Sequence, residues 1–433
     1  MNQKYVSTGI VCLLFACSLF LRVNEIARPF WADEQISINT LNANIVTNPL
    51  YTGITTNLPL YFWCISVINL IFGPMNLMYL RLFGVVANLL NGLILFQWFR
   101  TLTGKTAAVA LLSLFLFAPI QIHYAAELRP YVLSELLASA LIILIYSLTT
   151  HDNKPGKKTW VAINVISVLG FLTHYSFYIF YLAVLVYVAA KSRSFKILSK
   201  IAFFPALVAL IVAASYFSNP LFNDSLQGLE LKRTNVSPLS RVISLESLNR
   251  VKEVVANYYY YGLYYYRMDS WPQLIGKKLF FVLALLSVWL IIRAKRPDVR
   301  RAGLMILVLL FTTLALALVG EKLGYYPFGG RHIMPFSFLL YIVICLGLGE
   351  IAHKYKSGKL VLLVVITPVV VAFILFQSCS QIYRTRYTGT GDPQGDIFRY
   401  CLTTSYTHLR GGEYISLTTL SRSLKALTRL APL

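Results

Sequence analysis

Acidic residues are scarce: the 433-residue chain has 17 Asp and Glu against 39 Lys and Arg, and all charged residues together make up only 13% of it. A soluble domain would carry nearly twice that charge. Alternating segments of about ten residues, the mark of a membrane β-barrel, are also missing. Instead the apolar residues, 57% of the chain, fall in unbroken blocks such as Leu360 to Phe376. There is no D-x-D, no G-x-x-x-x-G-K-[ST] and no Rossmann glycine pattern, which argues against a nucleotide-linked donor held through a metal. None of the six cysteines forms a C-x-x-C pair. The blocks of roughly 15 to 22 apolar residues, joined by short basic or Gly/Pro-containing connectors, define an all-α polytopic membrane protein.

The net charge of +22 is explained by where it sits. Basic residues cluster at Arg100/Lys105, Lys154/Lys157/Lys158, Lys191/Arg193/Lys196/Lys200, Arg293/Lys295/Arg296/Arg300/Arg301 and His353/Lys354/Lys356/Lys359. Every second connector is therefore basic, the pattern of cytoplasmic loops that resist translocation, and nucleic-acid binding is excluded. Spans consistent with this alternation lie near 5-22, 79-99, 106-122, 130-149, 159-175, 176-190, 197-217, 276-292, 302-319, 333-350 and 360-377. They make about 11 helices with the amino terminus inside. The block Leu58 to Phe72 is too short, at about 1.5 Å per residue, for a core near 30 Å, and reads as an outer juxtamembrane or re-entrant helix. Leu14 to Cys17 faintly echoes a lipoprotein cleavage site, but Phe15 is bulky and the apolar run continues, so a retained first span is expected.

Residues 1-377 then form a membrane domain with outer loops at about 23-78 and 218-275, and 378-433 form a short outer tail. Leu417, Leu420, Leu424, Leu427 and Leu430 make one stripe opposite Arg422, Lys425 and Arg429, which predicts a basic amphipathic helix on the lipid surface near 416-430. Cys379 and Cys401 fall in this tail, where a disulfide and two separate thiols are both open.

The unusual chemistry gathers on the expected outer side. In PFWADEQIS, Asp33 and Glu34 are adjacent carboxylates at an apolar interface, costly unless paired or used; a helix cap is the plainer alternative for Asp33. In HYAAELRPY, Glu127 and Arg129 flank a turn that Pro130 ends, read as facing water; a structural ion pair is the alternative. In GYYPFGGRHIMP, Arg331 and His332 follow two glycines, where a guanidinium suits phosphate or simply snorkels to headgroups. Arg81 and His174 sit at the same outer level, each read as an ordinary interfacial residue ahead of a catalytic one. Seven tyrosines between Tyr258 and Tyr266 either anchor a loop on the headgroups or wall a cavity.

The ordered set FWADEQIS, NLPLYFW (Asn57 to Trp63), LRLFG (Leu80 to Gly84), YAAELRPYVL, HYSFY (His174 to Tyr178) and GGRHIMPF resembles the GT-C glycosyltransferases of the dolichyl-phosphate-mannose protein mannosyltransferase superfamily. The pattern is nearest to the bacterial members that resemble the lipid A aminoarabinose transferase. It covers about residues 5 to 350. Asn57-Leu58 departs from the His-Pro that often opens the second motif, and the carboxy-terminal third matches no known pattern. The resemblance implies a GT-C bundle in the plasma or inner membrane with its active site on the periplasmic or extracellular face. It implies transfer of one hexosyl or pentosyl unit from a polyprenyl-phosphate donor to a hydroxyl of a lipid, glycan or protein, usually with inversion. Asp33 would be the general base and Glu34 would orient the acceptor or its partner. Arg129 and Arg331, with His332 and Lys322 as second choices, would bind the donor phosphate. Arg81, Glu127, His174, Tyr258, Tyr259, Tyr260 and Tyr261 are supporting or acceptor-binding candidates. No metal ligand set or organic cofactor is implied, and a divalent cation stays open. A lipid-linked glycan flippase and an oligosaccharide polymerase or ligase are the competing classes. Against transport, the ionisable residues gather at one face and no inverted repeat is visible.

Overall fold

The structure, a computed structural model, describes residues 3–26, 34, 37–38, 41, 58–72, 77–150, 156–217, 271–322, 332 and 334–355. The chain divides into two compact units, residues 1–379 and 380–433. All described residues lie in the first. The expected span at 360-377, the outer loop at 218-270 with Tyr258, Tyr259, Tyr260 and Tyr261, and the tail with its amphipathic helix all lie outside them.

Among the described residues there is no strand. The helices are α1 (Gln3–Ile26), α2 (Pro59–Phe72), α3 (Leu77–Thr103), α4 (Lys105–Phe117), α5 (Pro119–Ala125), α6 (Tyr131–Thr150), α7 (Lys157–Phe171), α8 (Ser176–Ser192), α9 (Phe195–Phe217), α10 (Trp271–Ile292), α11 (Pro297–Lys322) and α12 (Ser337–Tyr355), the last preceded by a 3-10 turn at Met334–Phe336. The bundle is an all-α membrane protein. Windows in α1, α3, α6, α9, α11 and α12 are long and apolar enough to cross a bilayer, and α2, α4, α8 and the second half of α10 are shorter apolar helices.

Ten of the eleven expected spans coincide with helices, with one internal difference. The block 106-122 is not a single rod. Ala118 takes an extended conformation (φ −62°, ψ 126°) before Pro119, which opens α5. A proline lacks the N–H that would continue the ladder and forces the preceding residue out of the helix, so the chain changes direction there. The turn between α3 and α4 is made by Gly104, whose φ of +90° suits a residue without Cβ.

The outside of the bundle is greasy. Phe195, Leu210, Phe203, Leu13 and Val161 are all exposed, as expected where lipid rather than water is the solvent. Burial separates the inner helices from the outer ones. The apolar window of α12 is 89% buried and that of α9 only 17%, so α12 is the central post of the bundle. It packs against α4, α10 and α11, while α3 and α6 complete the core on the amino-terminal side. A ladder of rings joins α8 to the start of α12, with Phe180 stacked on Phe336 at 5.8 Å between centroids. That contact fixes the height of the segment carrying His332.

Candidate active site

The site is assembled where α1, α3, α5, α6, α8 and α12 present the same end. At the end of α1 the Ile26 carbonyl accepts a hydrogen bond from Arg81 Nη1 at 2.5 Å. Arg81, near the start of α3, also forks onto Glu34: Nε donates to Oε1 at 3.0 Å and Nη2 to Oε2 at 2.6 Å. Glu34 Oε1 accepts a further bond from the backbone N–H of Leu128 at 3.0 Å. Ser37 Oγ donates to the Leu128 carbonyl at 2.8 Å. Both backbone groups of Leu128 are thus taken by side chains three residues apart in sequence, on helical residues that follow α1. Since buried backbone groups must be paired, this segment and the turn hold together as one body. Glu34 is wholly buried and Arg81 is 3% exposed, which makes this a desolvated bidentate pair.

The turn itself, residues 126 to 130, is tight. Ala126 N–H donates to the His123 carbonyl, Glu127 N–H to Tyr124 and Arg129 N–H to Glu127 at 2.8 Å. It lies so close to α3 that a Cβ on Gly84 would come within 2.6 Å of the Ala125 carbonyl oxygen. Glycine in LRLFG is therefore a spacing residue, placing Arg81 and the turn within reach of the same loop.

The expectation that Glu127 and Arg129 face water is corrected: Glu127 is 1% exposed and Arg129 is 9%. The physical reason is α2, which brings Tyr61, Phe62 and Ile65 into a small core with Ile38, Leu80 and Leu128. The first turn of α2 is pinned by a bond from Leu60 N–H to the Leu172 carbonyl at 2.8 Å. Tyr61, 1% exposed, lies in the electrostatic field of Glu34, Arg129 and Glu127, with no hydrogen-bond partner for its hydroxyl among the described residues. Sequence reasoning did not single it out; its place in NLPLYFW was the available signal.

Three motifs far apart in the chain then meet. Tyr175 Oη and His332 Nδ1 are 2.5 Å apart, and Ser176 Oγ donates to the His332 carbonyl at 3.1 Å. The His174 ring lies 6.2 Å from that of His332, with planes 16° apart, and 5.1 Å edge-on from Tyr131. Arg129 stands 6.0 Å from the Tyr131 centroid. HYSFY, ELRPY and RHIMP thereby build one cluster of imidazoles, phenols and a guanidinium. The Ser176 N–H donates to His174 Nδ1 at 3.2 Å, so in the neutral ring the proton sits on Nε2. His174 is 1% exposed, a packed member of the site rather than an interfacial residue. Tyr131 and Tyr175 join it as residues not anticipated from the sequence.

Of the remaining expected residues, Lys322 ends α11 and its side chain lies outside the described part. Asp33 and Arg331 also lie outside it, each next to a described residue of the site, Glu34 and His332. Among the described residues no group of three or more His, Cys, Asp or Glu is gathered to hold a metal ion.

About one helical turn deeper, roughly 6 Å, lies a second polar system that the sequence reading missed. Arg22 on α1 donates to Asn88 Oδ1 through Nε (3.1 Å) and Nη2 (2.6 Å), and its Nη1 donates to the Leu116 carbonyl at 2.9 Å and to Ser18 Oγ. Asn88 Nδ2 donates to Gln121 Oε1 at 2.6 Å. Gln121 Nε2 donates to Glu135 Oε1 at 2.7 Å and Ser337 Oγ at 2.8 Å. All are wholly buried. Ionisable groups therefore do not gather only at the face expected to be outer. The signal was a lone Arg and a lone Glu inside apolar blocks.

Comparison with known proteins agrees with this architecture. Residues 56–218, from just before α2 to just past the end of α9, match the family model for dolichyl-phosphate-mannose-protein mannosyltransferase. The fold is similar to that of ArnT from Cupriavidus metallidurans in the apo state, with a TM-score of 0.53 at 15% identity over 92% of this chain and 69% of that one. Against ArnT bound to undecaprenyl phosphate the TM-score is 0.51 at 15% identity, covering 98% and 73%. The oligosaccharyltransferase of Archaeoglobus fulgidus, tethered to an acceptor peptide, gives 0.55 at 12% identity over 92% of this chain and 59% of that one. No curated protein sequence matches the chain. The bundle has the GT-C membrane fold. Within that class it resembles ArnT.

Proposed function

We propose that this protein is an integral-membrane glycosyltransferase that moves a single sugar from a polyprenyl-phosphate carrier to an acceptor hydroxyl, with inversion, at the outer face of the plasma or inner membrane. The observation that carries the reading is the meeting of Arg129, Tyr131, His174, Tyr175 and His332 beside the Glu34–Arg81 clamp. A lipid phosphate leaves as a stabilised anion, so the reaction needs little general acid. It needs cations and N–H donors over the phosphate and a carboxylate on the opposite face of the sugar. In this reading Arg129 and His332, with Arg331 and Lys322, receive the phosphate. Asp33 takes the acceptor proton as the carbon-oxygen bond forms, and Glu34 holds the loop that presents it. No step calls on an organic cofactor. A divalent cation, if one takes part, would be held with the help of residues outside the described set. The acceptor is a lipid, glycan or protein hydroxyl.

The sidedness follows from charge. α3, α6 and α8 begin at the site and run to ends flanked by Arg100/Lys105, Lys157/Lys158 and Lys191/Lys196. The site end is then the one opposite the basic connectors, which the positive-inside rule puts outside.

The deciding experiment incubates purified protein in detergent with a panel of undecaprenyl-phosphate-linked hexoses and pentoses and follows release of undecaprenyl phosphate. Release supports the reading. Consumption of a diphosphate-linked oligosaccharide instead would favour the ligase class, for which the likeness to the Archaeoglobus fulgidus enzyme speaks. Turnover of neither lipid would leave a transporter. A sharper prediction concerns Arg129→Ala. Losing a charge-assisted contact worth about 1.5 to 3 kcal/mol should weaken undecaprenyl phosphate binding about ten- to hundredfold. Arg129→Lys should restore only part of this, because the planar fork is gone. Unchanged binding by Arg129→Ala, measured by intrinsic fluorescence titration, would make the arginine structural.

A further inference from the structure

The buried system below the site forms a chain with one direction. Arg22 donates to Asn88, Asn88 donates to Gln121, and Gln121 donates to Glu135, so each amide passes a hydrogen bond the same way, from the guanidinium to the carboxyl group. Every amide group of Gln121 is used: the oxygen accepts from Asn88, and the nitrogen donates to both Glu135 and Ser337. Ser337 Oγ in turn donates to Glu135 Oε1 at 3.2 Å. Asn91, one turn beyond Asn88 on α3, also lies against the Glu135 carboxyl.

The elements so tied are the ones that carry the site. Arg22 is one turn before Ile26, whose carbonyl receives Arg81. Asn88 is two turns below Arg81 on α3. Gln121 is on α5, the short helix that delivers Glu127 and Arg129. Glu135 is one turn below Tyr131 on α6, and Ser337 opens α12 just after His332. Arg22 also satisfies the Leu116 carbonyl, left near the end of α4 by the break at Pro119.

Apolar helix faces in lipid specify their register weakly, because sliding by one turn exchanges one set of Leu, Ala and Phe contacts for another. A directional polar chain has a single register in which the Arg22, Asn88 and Gln121 groups find their acceptors, and any slip leaves further buried polar atoms orphaned. We infer that Gln121, with Asn88 and Glu135, is a positioning residue: the chain Arg22–Asn88–Gln121–Glu135/Ser337 sets the heights of the helices that carry the transfer site and keeps the turn at residues 126 to 130 in place. The inference concerns the site assigned above, but its main test needs no substrate.

Four consecutive amides of that turn, Ala126, Glu127, Leu128 and Arg129, are hydrogen-bonded and report its order by hydrogen exchange. Gln121→Glu keeps the shape but removes the donor and sets two carboxylates face to face. In the full chain in detergent it should speed exchange at residues 126 to 129 at least tenfold. The double variant Gln121→Glu with Glu135→Gln keeps one negative charge and rebuilds the bonds, since the new amide donates to the new carboxylate and the Ser337 hydroxyl can rotate. It should return exchange to within about threefold of the parent. Gln121→Leu, apolar and similar in volume, serves if Gln121→Glu does not fold, and should loosen the turn likewise. Unchanged turn protection in either single variant, or no recovery in the double, overturns the inference. So does uniform acceleration through α6, α10 and α12 with the turn no worse than the rest, which would mean bundle stability alone. Binding of undecaprenyl phosphate should follow the same order of variants. If the parent does not bind that lipid, the functional reading fails while the exchange test still decides the chain's role.

Discussion

Glu34→Ala is expected to cost about 3 to 5 kcal/mol of stability, the usual result of stranding one member of a buried ion pair. Arg81, 3% exposed, would lose the bidentate carboxylate that neutralises it while keeping its bond to the Ile26 carbonyl. The Leu128 N–H would lose its acceptor, so the turn should loosen at the same time. Glu34→Gln should cost less, because one oxygen still accepts from Arg81 or Leu128. Arg81→Leu combined with Glu34→Ala should be milder than the sum of the two single changes, since no lone charge remains. Denaturant unfolding in mixed micelles would measure the series. A Glu34→Ala protein within about 1 kcal/mol of the parent would show that the clamp is not needed to close the site.

The clamp was half visible in the sequence. That Asp33 and Glu34 must be paired or used follows from the cost of carboxylates at an apolar interface. That the partner of Glu34 is Arg81, 47 residues later, does not follow from any local pattern. The helices themselves were legible because apolar blocks of bilayer length have few other solutions. The break at Pro119 lay inside such a block, where composition masked it, although the proline was the signal. The burial of Glu127 and Arg129 was not legible, because the cover comes from α2, joined to the turn through packing of Tyr61, Phe62 and Leu128. The meeting of His332 with Tyr175 spans 157 residues and depends on α8 packing against the 3-10 turn before α12, with Phe180 on Phe336. The chain through Asn88 and Gln121 was the hardest to see. Single amides inside apolar blocks carry no periodicity, and their meaning appears only when α1, α3, α5 and α6 bring Arg22, Asn88, Gln121 and Glu135 end to end.

Asp33→Asn should lower the rate of transfer at least about 100-fold, equivalent to about 3 kcal/mol in the barrier, with little loss of stability or of polyprenyl-phosphate binding. The contrast with its neighbour makes the prediction sharp. Glu34 has both oxygens engaged by Arg81 and Leu128, so removing it acts through the scaffold. Asp33 is one residue away in sequence, and an asparagine there keeps size and polarity while losing the ability to take a proton. If Asp33 serves as the base, the loss falls on turnover with saturating donor and leaves undecaprenyl phosphate affinity within about threefold. Were Asp33 only a cap on the following turn, asparagine would serve nearly as well, because both residues accept the same backbone bond. Transfer at the parental rate by purified Asp33→Asn protein would therefore remove Asp33 from the mechanism. It would leave the Glu34–Arg81 clamp as a support for chemistry carried by another group of the site.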